Sequence, residues 1–381
     1  MTLNNKLAAR LMAGTLALAF LPPLAAAQSA PDMPRATVKA GYRVPRLSTG
    51  KPDLQGTWTN ATSTPLTRPA SYGDRLAMTT EEAAKIEGDT VVRNARINAP
   101  TDPDTVKNWI QLAKGPDTLD ECRGGSRGTA CGYNAGWTDP GDLIMRVNGQ
   151  PRTSLITFPA NGQMPPRVSG PAAGAGRGGP RTQFIESSES GPANVRPGQN
   201  DNPEGRSLGE RCMMSFGISS GPVMTPQLYN NSYRFVQTKD SVAIWVEMVH
   251  DVRIVRLNSK HRTDGVRTWM GDSIGWWDGD TLVVETVGFN PQQNLRGAGP
   301  NVKVTERFTR VAANRLHYAF RVEDPETWTA AWGGEYEFNS TPGIYEYACH
   351  EGNYGLEGIL NGARFEEAQA AAGRAGAPAA R

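Results

Sequence analysis

The chain has 381 residues and a nearly balanced charge, with 40 basic and 38 acidic side chains. This balance provides neither the basic surface of a nucleic-acid-binding protein nor the polybasic patch of a protein held electrostatically at a membrane. Apolar content is a modest 38%, whereas the chain holds 42 glycines and 28 prolines. That composition predicts one principal core with long loops rather than two full domains.

The first 27 residues have the pattern of a secretory signal peptide. Lys6 and Arg10 form a short basic region, an apolar run follows at Leu11–Leu24, and Ala25–Ala27 match a small-residue cleavage site. The apolar run is too short to span a bilayer well, so we expect no membrane insertion. The sequence therefore predicts a mature chain that begins near Gln28 and works in the periplasm or outside the cell.

The next segments predict a loop, a strand and a helix in turn. Residues 28–51 read as an N-terminal loop, and Pro52–Asn60 predicts the first strand. Met78–Asp89 carries a threonine (Thr79 or Thr80) followed by Glu82, which is a capping signature. We expect a helix of about three turns there, followed by an irregular region at residues 99–140.

A hairpin and an insertion follow. Leu143–Phe158 reads as a hairpin around Asn148–Gly149, because this dipeptide is a strong signal for a two-residue turn. Residues 163–209 are rich in Gly, Pro and Arg and bury too little apolar surface to fold alone. We therefore expect a flexible insertion inside a single β-rich domain that spans residues 52–365.

From Ser232 to His350 the chain reads as a β-meander with turns at Lys239–Asp240, Asp278–Gly279 and Ala312–Asn314. With the earlier strands this predicts about ten to twelve mostly antiparallel strands and few helices. The fold class is therefore all-β, a predominantly antiparallel β-barrel or a strongly curved β-sandwich, since closure removes exposed sheet edges. "IYEYAC" is expected to be the last strand, and residues 366–381 to be a disordered tail.

Four cysteines in an exported protein predict two disulfides. Cys122 and Cys131 are close together in a glycine-rich stretch that closes easily, which leaves Cys212 for Cys349. The other interpretation of Cys349, a catalytic thiol beside His350, is disfavoured because a free thiol is easily oxidised in such a compartment.

Side-chain alternation along the predicted strands assigns the ionisable residues to faces. His250 ends the apolar row of its strand, and Glu306 lies between apolar neighbours. His350 is expected to face opposite to Cys349. Burying an ionisable side chain at such a position costs free energy unless the side chain is paired. Its pKa is also easily shifted there, which suits acid/base chemistry. The candidate catalytic residues are His350, His250, Asp251, Glu351 and Glu306.

The structural interpretation of these carboxylates is that they pair with strand arginines such as Arg307, Arg310 and Arg321. His317 is expected to be exposed to solvent, and His261 to lie in a turn. No dense metal-binding motif is present, so no metal or other cofactor is predicted. A serine hydrolase is disfavoured because "GDSIG" around Ser273 precedes a predicted hairpin and lacks the strand–turn–helix context of a nucleophile elbow.

Aromatic residues are frequent in or beside the predicted strands, and a barrel lined by rings suits a flat or hydrophobic ligand. The expected partner is a small hydrophobic or aromatic molecule. The candidate substrate-binding residues are Trp245, Trp269, Tyr354 and Asp272.

Two resemblances add to this interpretation. The tripeptide "GTW" at Gly56–Trp58 resembles the G-x-W of lipocalin-like proteins. The blocks "EMVHDVRIVRL", "GDSIGWWDGDTLVVETVGFN" and "YEYACHEGNY" resemble a large family of secreted bacterial proteins usually labelled hypothetical. The second likeness covers Pro52 to Arg364 apart from the insertion. It implies no particular activity, but it marks the polar blocks as candidates for a site.

Two functions remain open from the sequence. One is an enzyme that performs acid/base chemistry, as a lyase, isomerase, hydratase or hydrolase, on a small hydrophobic or aromatic substrate. The other is a lipocalin-like binding protein without turnover. An enzyme requires a histidine and a carboxylate within hydrogen-bond reach in one cavity, whereas a carrier requires only an apolar cavity with a few polar anchors.

Overall fold

A computed structural model describes residues 33–97, 141–168, 200–214, 221–292 and 295–376. The predicted signal peptide and the predicted Cys122–Cys131 pair lie outside these residues. The elements are β1 (Gly56–Thr59), α1 (Thr80–Ile97), β2 (Arg146–Val147), β3 (Gln150–Pro151), β4 (Ile156–Phe158), β5 (Ser232–Gln237), β6 (Ser241–Val246), β7 (Val252–Leu257), β8 (Asp272–Asp278), β9 (Thr281–Val287), β10 (Lys303–Ala312), β11 (Arg315–Glu323), β12 (Trp332–Ser340) and α2 (Tyr354–Gly376).

Nine strands form a closed β-barrel, which confirms the predicted fold class. The order is β1-β5-β6-β7-β8-β9-β10-β11-β12, and β1 pairs with β12 to close the barrel. Strands β7 and β8 pair in parallel through a crossover, and the other barrel pairings are antiparallel. The short strand β4 adds to β12 beside β1. Gly334 permits this approach, because a Cβ atom there would lie 1.9 Å from the Leu155 carbonyl oxygen.

The two ends of the barrel differ. At one end, which we call the hairpin end, short turns at Thr238–Asp240, Gly279–Asp280 and Ala313–Asn314 join consecutive strands, close to the predicted turns. At the opposite end, which we call the loop end, the connections before β5, after β9 and after β11 are longer. Binding residues of barrels occur preferentially at such mouths and on such loops.

The residues before β1 close the hairpin end. The Trp58 Nε1–H donates to the Leu54 carbonyl oxygen at 3.0 Å, and the Arg310 guanidinium stacks on the Trp58 ring at 5.3 Å. The Leu54 N–H donates to Gln237 Oε1 at 2.6 Å. Trp58, from the tripeptide that resembles the lipocalin pattern, is therefore buried and helps to seal this end.

The interior is packed with aromatic rings from the inward faces of neighbouring strands. Tyr318 contacts Phe308, Phe320, Tyr336 and Phe338 with ring centroids 5.0 to 5.8 Å apart. Offset and edge-on contacts of this kind add stability beyond the burial of their area. The centre of the barrel is therefore a filled core.

Helix α1 begins at the predicted signal and runs longer than expected. The Thr79 N–H donates to Glu82 Oε2 at 2.7 Å, and the Glu82 N–H donates to Thr79 Oγ1 at 3.1 Å, which is a capping box. The helix has 18 residues. The Asn148–Gly149 turn is also confirmed, although its flanking strands β2 and β3 have two residues each.

The predicted disordered tail is wrong over residues 366–376, because α2 continues to Gly376. Asn353 caps this helix by accepting from the Leu356 N–H at 3.4 Å. Its last turns are rich in alanine and glutamate, which are strong helix formers. Among the described residues, no helix is long and apolar enough to cross a membrane.

Both ends of the predicted flexible insertion are folded, and residues 169–199 lie outside the described residues. Arg167 donates to the carbonyl oxygens of Arg296 and Gly297. A short 3-10 helix covers Pro203–Gly205, and Leu208 is buried.

His317 was expected to be exposed, and this expectation is wrong. Its side chain is buried on the outer face of β11, and Nε2 lies 3.0 Å from Glu335 Oε2. Arg152, from the segment after β3, binds the same carboxylate at 2.7 Å. Strand alternation places His317 on the outer face correctly, but the sequence does not reveal that a distant segment covers that face.

Candidate functional site

A strained turn lies at the loop end between β6 and β7. We call Glu247–Asp251 the strained turn, because Val249 and His250 both have positive φ values of 62° and 48°. A β-branched residue in this region is a genuine outlier, and each such residue costs of order 1–3 kcal/mol. Sequence alternation predicted a continuous strand through His250, but β6 ends at Val246. Strain of this kind clusters at functional sites.

The buried Glu247 carboxylate holds the strained turn to the neighbouring chain. Glu247 Oε2 accepts from the Ser232 N–H at 3.0 Å, and Oε1 accepts from the Tyr345 N–H at 2.9 Å. The second bond reaches Ile344–His350, which we call the tyrosine loop. Glu247 was not among the site residues predicted from the sequence, although its place beside the apolar end of β6 was a usable signal.

His250 contacts the same loop, and the contact determines its tautomer. Its Nδ1 lies 3.1 Å from the carbonyl oxygen of Tyr347. A carbonyl oxygen only accepts, so Nδ1 carries the hydrogen, and the lone pair of the neutral ring lies on Nε2. The side chain is exposed. This arrangement leaves Nε2 available to a substrate as a general base.

Two neighbouring groups have shifted pKa values. Burial raises the pKa of the Asp251 carboxyl above its usual value, and the nearby His250 partly offsets this. Burial also raises the pKa of the Tyr347 hydroxyl, and a hydrogen bond with the Tyr229 side chain acts in the opposite direction. A carboxyl whose pKa moves toward neutrality is suited to proton transfer.

The Cys212–Cys349 disulfide anchors the tyrosine loop, as predicted. The Cα atoms of the two cysteines are 5.7 Å apart. Next to the bridge, Asn353 Nδ2 donates to the Glu210 carbonyl oxygen at 2.9 Å. The bridge therefore holds the chain two residues beyond the carbonyl group that orients His250.

The predicted strand that ends at His350 is not formed, because β12 ends at Ser340 and the tyrosine loop has no strand pairing. His350 and Cys349 are therefore not on opposite faces of a strand, as strand alternation predicted. His350 and Glu351 are both exposed on the turn before α2. Among the described residues, no hydrogen bond or ion pair joins the His350 side chain to His250 or to Glu306.

Glu306 lies in the barrel interior, apart from the strained turn. The Arg253 guanidinium binds it through two hydrogen bonds of 2.5 and 3.2 Å, and the Tyr318 hydroxyl donates to Oε1 at 2.9 Å. The side chains of Glu306 and Arg253 are 0% and 3% exposed. The carboxylate is thus paired with an arginine, although with Arg253 rather than the strand arginines considered from the sequence.

Met224 completes this interior cluster. The Met224 N–H donates to the Tyr318 hydroxyl at 3.1 Å. The Met224 carbonyl oxygen accepts from Asn60 Nδ2 at 2.6 Å and from the Tyr336 hydroxyl. We call Asn60, Arg253, Glu306, Tyr318 and Tyr336 the barrel network. Burial raises the pKa of both phenols well above the usual value, so they remain protonated donors.

Four of the five residues in the barrel network were not predicted from the sequence; Glu306 was. Alternation along β11 and β12 places Tyr318 and Tyr336 on the inward face, so this signal was available. Nothing in the sequence indicated that the chain before β5 inserts into the barrel and meets them.

Asp272 belongs to a different cluster, on the outer face of the barrel. Its carboxylate accepts from Arg256 at 2.7 Å and from the Arg262 N–H at 3.0 Å, and it lies 2.9 Å from His261 Nδ1. Burial acts to raise the pKa of Asp272, but these hydrogen bonds together lower it below its usual value. Glu285 contacts the other ring nitrogen of His261 at 3.2 Å, so the cluster fastens the β7–β8 crossover.

The aromatic residues predicted to bind substrate do not line one pocket together with the strained turn. Trp245 points outward from β6 and stacks with Arg234 at 5.7 Å. Trp269 is half-buried in the crossover, and Tyr354 is exposed at the start of α2. Among the described residues, no group of three or more His, Cys, Asp or Glu side chains is placed to hold a metal ion.

No protein-family model matches the chain, and no curated protein is significantly similar to it.

Proposed function

We propose that this chain is an exported β-barrel enzyme that performs acid/base chemistry on a small hydrophobic or aromatic substrate at its loop end. The observation that carries the proposal is the strained turn, whose two left-handed residues direct His250 Nδ1 to the Tyr347 carbonyl oxygen. A fold retains such strain when the surrounding contacts over-determine it, as the bonds to Glu247 do here. Export is compatible with the Cys212–Cys349 disulfide.

In this mechanism His250 Nε2 removes a proton from the bound substrate. The Tyr347 carbonyl group then holds the imidazolium in the same orientation, since Nδ1 keeps its hydrogen throughout. The Asp251 carboxylate interacts electrostatically with His250 and stabilises the positive ring. The exposed ring of Tyr345, which shares the loop, offers a stacking surface to an aromatic substrate.

A second function, binding without turnover, is favoured by a different observation. The inward-facing carboxylate of Glu306 binds Arg253 and Tyr318 inside the barrel and so forms a fixed polar anchor there. A carrier needs only polar anchors and apolar contacts at the barrel mouth.

The two functions are separated by hydrogen exchange into a ligand. Purified protein is incubated in D2O with a panel of small aromatic and hydrophobic carbonyl compounds, and the compounds are analysed by mass spectrometry. We expect wild type to bind one class and to deuterate it, and His250→Gln to bind it without deuteration. His350→Gln is the matched control, because His350 is also an exposed histidine and, among the described residues, no hydrogen bond or ion pair joins its side chain to the strained turn.

Each outcome of the panel decides one point. Binding without deuteration in wild type would replace the enzyme with a carrier. Equal deuteration by wild type and His250→Gln would remove His250 from the chemistry. If no compound in the panel bound at all, both functions would lose their support.

A further inference from the structure

Met224 is the tip of a loop that inserts into the barrel from the loop end. The Thr225 N–H donates to the Val223 carbonyl oxygen at 3.0 Å, which closes a tight turn centred on Met224. Residues 221–231 belong to no strand, yet Val223 and Met224 are 0% and 1% exposed. The loop therefore lies inside the barrel without taking part in the hydrogen-bond ladder of its wall.

The backbone polar groups of Met224 are satisfied by side chains of the wall. Its N–H donates to the Tyr318 hydroxyl, and its carbonyl oxygen accepts from Asn60 and Tyr336. Arg253 Nη2 lies 3.6 Å from the Met224 sulfur. The wall thus recognises the amide N–H, the carbonyl oxygen and the thioether of one residue at the same time.

The barrel wall holds Tyr318 and Arg253 in position independently of Met224. The Tyr318 hydroxyl donates to Glu306, and Arg253 donates two hydrogen bonds to the same carboxylate. All three residues lie on strands of the closed barrel. Such preorganisation is what a binding site requires, because the polar groups are already oriented before a ligand arrives. A purely structural core of this size would not need a buried ion pair, which is costly to desolvate.

We propose that the barrel network is a ligand site that the chain fills with its own Met224. The ligand class is a small N-acylated, C-amidated apolar amino acid or an equivalent secondary amide, because such a molecule presents the N–H, the carbonyl oxygen and the side chain that Met224 presents. The free ligand competes with the loop for the same partners. This site is separate from the strained turn, and it stands whether or not His250 is catalytic.

The first test removes the side chain of the internal occupant and supplies the whole residue again as a free molecule. N-acetyl-L-methioninamide is titrated into Met224→Ala by calorimetry. We expect it to bind at least about tenfold more tightly than to wild type, because the loop no longer competes with a full side chain. Met145→Ala is the matched control, since Met145 is also buried in the core but its sulfur accepts from the Glu337 N–H rather than from a side chain of the barrel network.

Adding Tyr336→Phe to Met224→Ala removes one donor to the ligand carbonyl oxygen, and we expect the affinity to fall about tenfold. Equal affinity for Met224→Ala and Met145→Ala, or no binding to either, would overturn the proposal. Either result leaves the hydrogen-exchange test of His250 unaffected.

A second measurement needs no variant that might fail to fold. The ε-methyl resonance of Met224 in wild type is followed by NMR as N-acetyl-L-methioninamide is added. The proposal requires this resonance to move toward the value of a solvent-exposed methionine while that of Met145 stays in place. A Met224 resonance that remains unchanged at saturating ligand would refute it.

Discussion

Glu306→Gln tests whether the ion pair inside the barrel behaves as the structure indicates. The substitution keeps the shape of the side chain but leaves the Arg253 guanidinium charged, because arginine does not lose its proton in proteins. Both side chains are almost completely buried, so water cannot replace the lost carboxylate. Breaking a buried pair in this way costs about 3–5 kcal/mol.

The expected loss is large enough to measure by thermal and by denaturant unfolding. For a domain of this size 1 kcal/mol corresponds to about 2–4 °C, so the midpoint should fall by roughly 6–20 °C. Asp89→Asn is the control, because it breaks the fully exposed Lys85–Asp89 pair and should leave the midpoint unchanged within error.

The double variant Arg253→Met/Glu306→Leu shows whether the cost comes from the unpaired charge. Replacing both partners by apolar groups is often neutral or stabilising, so we expect the double variant to be more stable than Glu306→Gln alone. A loss below about 1 kcal/mol for Glu306→Gln would refute the reasoning, as would a double variant less stable than Glu306→Gln alone.

Two further predictions concern the loop end. Cys349→Ser removes a bridge between positions 137 residues apart, and the chain-entropy model gives a loss of about 5 kcal/mol in the free energy of unfolding. Denaturant unfolding of the variant and of reduced wild type measures this loss. Midpoints equal to that of oxidised wild type in both samples would contradict it. Asp251→Asn should raise stability at neutral pH by less than about 1 kcal/mol. The folded-state pKa of Asp251 is raised, so the ionised form costs stability above that pKa, and the advantage of asparagine should vanish below about pH 3.9. An advantage of asparagine that persists below that pH would show that it does not arise from ionisation.

Local signals in the sequence predicted the wall of the barrel well. The turns before β6, β9 and β11 and the capping box at Thr79 each depend on residues within a few positions of one another, and the structure contains all of them. The Cys212–Cys349 pairing followed from the number of cysteines and their spacing.

The predictions that failed depend on contacts between distant parts of the chain. His317 is buried because Arg152 and its neighbours cover the outer face of β11. The end of β6 was misplaced because the left-handed pair Val249–His250 is held by Glu247 and the tyrosine loop, about a hundred residues further on. Alternation along a strand predicts faces, but it does not predict what covers each face.

Strand β1 gives this barrel a particular order of assembly. Trp58 pairs with Ser340 on one side and with Tyr233 on the other, so the first strand joins partners that follow it by most of the length of the barrel domain. Contacts between positions so far apart in sequence are slow to form, because the entropy of closing a long loop must be lost before they stabilise anything. The wall from β5 to β12 can pair step by step through its neighbours, but the barrel closes only when β1 enters between β5 and β12. Until then two sheet edges remain open to other chains, and this interval is the stage of folding at which the protein is most exposed to aggregation.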